Sequence, residues 1–289
     1  MRQATTPFLI SLEGSQITTD TDSRLSLPAQ TWVITQHLEE TAIQAHQEEV
    51  ARLGPTSTLA KFLCYRKDDV TQKPAFMRIH HQVPIIDTEY SKPEARALQA
   101  VPKYMPNELK AFQKLASMAC NVTPALLGYK EAQQGDDGLV PGGFSVCIVW
   151  DKVPGESLSE KYFWSLDRDA RDVIRREFRR VNERDFLPCG VKIIPMAITN
   201  LIYDKVSGSI HLCGFSMAAF PSPPVKWSDR LYLMYGLANY VPRPDRVMDA
   251  LDRSQWELLL SGVLCLGGMT YTPFNADYDD TYRPELPNQ

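Results

Sequence analysis

A chain of 289 residues with 44% hydrophobic and 23% charged residues can bury one large core or two smaller ones. Lys and Arg number 31 against 35 Asp and Glu, and no long basic run offsets that balance, which argues against a nucleic-acid-binding surface. The six cysteines, Cys64, Cys120, Cys147, Cys189, Cys213 and Cys265, form no C-x-x-C pair, a spacing that favours buried thiols in a reducing compartment over disulfides or a zinc site.

The first thirty residues are rich in Thr, Ser and Asp and read as an irregular leader whose apolar run is too short for a secretory signal. Residues 37–53 (HLEETAIQAHQEEVARL) follow, with Leu38, Ala42, Ile43, His46 and Val50 near helical spacing and Gly54-Pro55 as a stop; a helix is expected. Residues 59–65 and 75–80 are dense in Phe, Leu, Met and Ile around the polar turn KDDVTQKP, the pattern of a β-hairpin. Residues 107–120 (NELKAFQKLASMAC) place Leu109, Phe112, Leu115, Ala116 and Met118 on one side of a predicted helix. Two strands are expected at 124–129 and 144–150, then an amphipathic helix at 166–185 with Ala170, Val173, Ile174, Phe178 and Val181 inward. Short strands at 201–203 and 210–215 flank the turn DKVSG, helices are expected at 229–240 and 245–260, and a tail rich in Pro, Asp and Tyr closes the chain. The most apolar later stretch, residues 256–269, contains a Glu and three glycines and is too short to span a bilayer. A cytoplasmic protein without membrane contact is the expectation.

Ordered pieces of this chain resemble the protein-kinase-like superfamily, in particular divergent fungal members of its aminoglycoside-phosphotransferase-like branch. They are FMRIHHQVP, NELKAFQKLA, TPALLGYKEAQ, VPGGF, VWDKVPGESL, FRRVNERDFLPCG, NLIYDKVSG and HLCGFSMAAF, spread over residues 76–220. The resemblance implies an α+β, two-lobed protein-kinase-like fold: an extension with one helix (1–54), a sheet-plus-helix lobe (55–149) and a mainly helical lobe (150–289). It also aligns Arg78 with the family's phosphate-gripping Lys and Glu108 with the helix Glu that pairs with it. The adenine hinge falls on residues 150–153, which include Trp150 and Asp151, and the metal-binding Asn falls on Asn200.

The departures bear on chemistry. Pro195 stands where the catalytic base belongs and Gly214 where the metal-binding Asp begins the D-F-G triplet, and no glycine-rich loop precedes Phe76. Phosphoryl transfer rests on positioning and on magnesium held by carboxylate oxygen, so phosphotransfer is not expected and no cofactor is implied. Ligand contacts in an interlobe cleft are expected from Arg78, Glu108, Trp150, Asp151, Asn200 and Phe215. His211 is the one candidate for proton transfer. Plainer readings stand beside them: a structural ion pair or two exposed charges for Arg78 and Glu108, a cap or loop bridge for Asn200, core packing for the aromatics, and a core or surface placement for His211. No H-E-x-x-H, C-x-x-C or G-x-S-x-G occurs, so neither a metal site nor a serine nucleophile is expected.

Three functions follow. The first is an apolar small-molecule binder in fungal secondary metabolism that serves a cofactor-free cyclisation or isomerisation. The second is a non-catalytic pseudokinase that offers a surface to protein partners. The third is an atypical phosphotransferase with replacement acids from Asp204 or from residues 276–282.

Overall fold

The computed structural model describes residues 7–238. The chain divides into two compact units, Met1–Val153 and Pro154–Gln289. The first is sheet-rich. Its strands are β1 (Gln16–Thr18), β2 (Thr31–Ile43), β3 (Ser57–Arg66), β4 (Pro74–Gln82), β5 (Leu126–Gln133) and β6 (Phe144–Asp151), with α1 (Gln47–Leu53), α2 (Pro93–Ala97) and α3 (Asn107–Ser117) between them. They form one antiparallel sheet in the order β1-β2-β3-β4-β6-β5.

Alternation along the strands gives this sheet two buried faces. On one, Trp32, Ile34, Ala60, Phe62, Cys64, Ala75, Met77, Ile79, Cys147 and Val149 form a core covered by Phe8, Leu9 and Leu12. On the other, Phe76, Arg78 and His80 of β4 lie opposite Trp150, Ile148 and Val146 of β6. Helix α3 supplies Leu109, Phe112 and Leu115 as buried side chains, and the Phe112 ring stacks on Trp150 with centroids 5.3 Å apart.

The expectation for residues 1–54 is corrected in two ways. Within residues 1–54, Gln16–Thr18 of the expected leader and Thr31–Ile43 are strands of the sheet, so the segment is not a separate extension. A helix forms only at Gln47–Leu53, where Gly54 at φ +86° ends it. The reason lies in β2. Two register shifts, between Ile34 and Gln36 and between His37 and Glu39, interrupt its pairing with β3. Each bulge adds a residue to one strand, so the side chains directed to the core are Trp32, Ile34, His37, Glu40 and Ala42. Steps of two, three, three and two residues imitate a helical stripe. The hairpin expected at 59–65 and 75–80 and the helix expected at 107–120 both form, as β3–β4 and α3. Strand β6 runs on through Asp151, which carries the unit boundary past residue 150.

The second unit contains β7 (Glu156–Ser157), β8 (Leu201–Tyr203) and β9 (Ile210–Leu212) in one small antiparallel sheet. Its helices are α4 (Glu160–Ser165), α5 (Arg168–Val181), which continues as a π-helical turn over Asn182–Phe186, and α6 (Arg230–Met234). Ser159 and Asp167 cap α4 and α5 by accepting from the backbone N–H groups of Tyr162 and Ala170. The inward face of α5 differs from the expected one. Val173 is exposed and Arg175 is buried, because the Arg175 guanidinium donates from Nε to the Leu237 carbonyl at 2.7 Å, pairs with Asp172 and lies over the Phe163 ring. Of the helix expected at 229–240, residues 230–234 are helical; the helix at 245–260 and the acidic segment 276–282 lie outside the described residues.

None of the five described cysteines forms a disulfide, and Cys64, Cys147 and Cys189 are buried. No helix among the described residues is long and apolar enough to cross a membrane.

Candidate functional site

The strongest cluster of charge lies on the α3 face of the first sheet. Register sets Glu39 of β2, Lys61 of β3 and Arg78 of β4 side by side across three strands. Glu108, in the first turn of α3, enters the same face and is 2% exposed. Arg78 Nη1 donates to Glu108 Oε1 at 2.7 Å, and Arg78 Nη2 reaches Glu39 at 3.4 Å. His80 Nε2 lies 3.0 Å from the other Glu108 oxygen. Burial pushes the Glu108 carboxyl up. The charge of Arg78, the hydrogen bond with His80 and the nearby Lys61 outweigh it, so the pKa ends below the ordinary carboxylate value. Above this pair the Arg78 guanidinium stands 5.6 Å from the Trp150 ring centroid, and Lys61 Nζ stands 4.5 Å from that of Phe76. Arg78 and Glu108 are thus held by each other and by Glu39, His80 and Trp150, and the arrangement serves the architecture of the sheet. His80 is a second partner of Glu108 that no motif in the sequence marks. His81 points to the opposite face, where its Nδ1 meets Ser145 Oγ at 3.0 Å, and burial pulls its pKa down to about 4.

Trp150 is interior, between Phe112 and Phe76. Asp151 holds the start of β5: its backbone N–H donates to the Ala125 carbonyl at 3.0 Å, and its carboxylate accepts from the Ala125 N–H.

The β2–β3 connection carries α1, with Glu48 and Glu49 in its first turn. It is fastened to the segment after β4: Val83 N donates to Thr56 O, Ile86 N to Ala45 O, and His46 faces Asp87 at 3.3 Å. Acidic side chains and a tied-down backbone make this a poor cradle for phosphate.

In the second unit, Asn200 closes a loop. Its Oδ1 accepts from Ala197 N at 2.8 Å, and its carbonyl accepts from Cys213 N at 2.8 Å. Gly214 follows with φ +93°, and a Cβ at that position would fall well inside contact distance of Asn200 Nδ2. The Gly214 backbone therefore lies close against the Asn200 amide, and a side chain at position 214 would collide with it. Phe215 is 1% exposed and stacks on Phe186. His211 lies on β9 opposite Ile202 and is half-buried. Asp204 accepts from Ser207 Oγ and Val206 N within its own turn, and these bonds hold its carboxyl below the usual range. Among the described residues, no three His, Cys, Asp or Glu side chains converge as a metal site would require.

The first unit also contains a cavity of about 320 Å³ at the end of the sheet where the β3–β4 hairpin turns. It is on the face opposite Arg78. Leu27, Pro28, Gln30, Trp32, Pro74, Ala75, Leu126 and Leu127 line it, together with the charged residues Arg66, Asp69, Lys73 and Asp151. The loop that provides Leu27 and Pro28 is anchored by Asp22. Its backbone pairs with Leu27, and its carboxylate accepts from Arg24 and, at 2.7 Å, from the Tyr129 hydroxyl. These bonds hold the Asp22 carboxyl down to about 2. Of the residues singled out from the sequence only Asp151 borders this cavity.

No protein-family profile matches the chain, and no curated protein matches it. Among solved structures, the kinase PK-1 of Cydia pomonella granulovirus is similar at 14% identity with a TM-score of 0.35, over 65% of this chain and 55% of that one. The chain therefore spans little more than half the length of that kinase.

Proposed function

We propose that this chain has a protein-kinase-like architecture without phosphotransfer chemistry and binds an apolar small molecule. The architectural part is supported by strand order and by the Arg78–Glu108 pair. Kinases place a cation on the third strand of this lobe and pair it with a Glu on the following helix. Setting aside the short β1, β4 is the third strand here, and α3 comes after it, beyond the short helix α2.

The observation that carries the loss of phosphotransfer is the closed contact between Gly214 and Asn200. Magnesium needs several oxygen ligands around it, and a glycine against an amide provides neither the carboxylate nor the space. Helix α1 in place of a glycine-rich loop supports the same reading. The small-molecule part rests on the open recess beside Trp32, which has a volume of about 320 Å³ and a lining of mixed apolar and charged residues. A cofactor-free cyclisation or isomerisation is the reaction class compatible with such a recess, since it asks for shape and orientation rather than metal.

Two measurements test the proposal. ATP with magnesium should leave the melting temperature unchanged, and a magnesium-dependent rise would restore a nucleotide role. Methyl 2-naphthoate, a neutral planar probe, should shift the indole N–H resonance of Trp32. A silent Trp32 would remove the small-molecule reading and leave the protein-partner scaffold.

A further inference from the structure

Four charged residues border the hairpin-end cavity, and they are not equally committed. Asp69 already accepts three hydrogen bonds from its own turn, from Thr71 N at 2.9 Å, Thr71 Oγ1 at 2.6 Å and Lys73 N at 3.3 Å. Asp151 accepts from the Ala125 N–H. Arg66, by contrast, faces one acid, the largely exposed Asp68, through Nε at 2.8 Å. Its terminal nitrogens and the Lys73 ammonium make no ion pair with any other described residue. The acceptors at the mouth thus serve the backbone, while the donors retain capacity. Below them Trp32 reaches the cavity at its edge: the residue is 3% exposed, and its Nε1 is directed to Thr19 Oγ1 at 3.4 Å.

We propose that this cavity takes an apolar molecule bearing a carboxylate, its apolar part beside Trp32, Leu27 and Leu126 and its anionic group held by Lys73 and Arg66. The inference rests on the ligand-binding reading above and adds the ligand's class. A cationic ligand would meet carboxylates already bound to backbone donors. A wholly neutral one would leave the Lys73 ammonium without an ion-pair partner among the described residues and the terminal nitrogens of Arg66 unused. Guanidinium and ammonium groups at the mouth suit a carboxylate, and Arg66 can present a fork to it.

The test compares 2-naphthoate with its methyl ester on the full chain, read through the Trp32 indole N–H, which a Trp32→Phe variant assigns. The acid should bind about fivefold tighter than the ester, the upper range for solvent-accessible ion pairs, and the ratio should fall as salt is raised. Lys73→Met and Arg66→Met should each weaken naphthoate and leave the ester unchanged. Lys73 is exposed, so its variant should fold, as an unaltered melting temperature would show. Equal affinities for acid and ester, or a ratio that Lys73→Met does not change, would overturn the ligand class and leave the cavity as a neutral site. If neither probe moves Trp32, both this inference and the ligand-binding reading fall.

Discussion

Arg78 and Glu108 meet at 2.7 Å with unequal surroundings: the Glu108 side chain is 3% exposed, whereas Arg78 has a second acid, Glu39, that is 62% exposed. The two partners should therefore respond differently to removal. Arg78→Met strands a buried carboxylate with only His80 beside it, and should cost about 3 kcal/mol by urea denaturation. Glu108→Gln leaves Arg78 with Glu39 and should cost less. The double variant Arg78→Met, Glu108→Leu should recover part of the loss, because a buried pair replaced by apolar groups removes both desolvation terms. Equal costs for the two single variants would show that the carboxylate is not the stranded partner.

Stability should fall on mild acidification. The folded-state pKa of His81, about 4, is below its unfolded value near 6.5, because burial disfavours the charged ring. Below pH 6.5 the unfolded chain binds a proton that the folded chain refuses, so stability declines as pH drops and levels off under pH 4. The effect is on the order of 3 kcal/mol. Glu108, whose pKa is lowered in the fold, adds a further loss below its unfolded value of about 4.5. A His81→Gln variant should flatten the profile between pH 6.5 and 4.5 and leave the decline below pH 4 unaltered. A wild-type profile that is level over that upper interval would contradict the account.

The hairpin β3–β4, helix α3 and the pair β8–β9 were legible because their apolar periodicity is uninterrupted. Strand β2 was not, since two bulges turn period two into a false helical period. Helix α5 misled at Val173 because the buried neighbour is an arginine, which covers apolar surface with its stem while its head finds a carbonyl. The Arg78–Glu108 pair was accessible only through family resemblance, for nothing in the spacing of residues 78 and 108 links them. The cavity could not be read at all. Its lining comes from residues 27–32, 66–75, 126–127 and 151, four separate stretches of which none carries a chemical motif.

An acid placed at position 214 should not confer phosphotransfer chemistry. Gly214→Asp puts a Cβ into the Asn200 amide at a backbone angle that side chains rarely adopt. Strain of this kind costs on the order of 1–3 kcal/mol before the contact is counted. The variant should melt earlier than wild type and should remain indifferent to ATP with magnesium. Gly214→Ala should lose similar stability, and adding Asn200→Ala should relieve the contact but not the backbone term. A Gly214→Asp protein as stable as wild type, or one stabilised by ATP and magnesium, would show that the loop opens to admit an ion.

The cover over the opposite sheet face should depend on one carboxylate. The Glu40 side chain is 4% exposed. Oε1 accepts from Phe8 N at 2.8 Å and from Thr58 Oγ1 at 2.7 Å, and Oε2 accepts from Leu9 N at 3.1 Å and faces His37 at 3.3 Å. It is thereby the polar anchor for the segment whose Phe8, Leu9 and Leu12 pack on the core of Ile34, Phe62 and Met77. Glu40→Gln preserves size but replaces one acceptor oxygen with an N–H donor, which must then face a backbone or hydroxyl donor. Leaving such a buried group unsatisfied costs about 1–3 kcal/mol, and that cost is shed if the segment detaches. Amide hydrogen exchange should accordingly quicken at Phe8 and Leu9, and protease sensitivity should appear near Ile10, while the amides of α3 stay protected. Unchanged exchange at Phe8 and Leu9 in Glu40→Gln would mean that apolar contact alone holds the segment, and the carboxylate would then be a passenger of the fold.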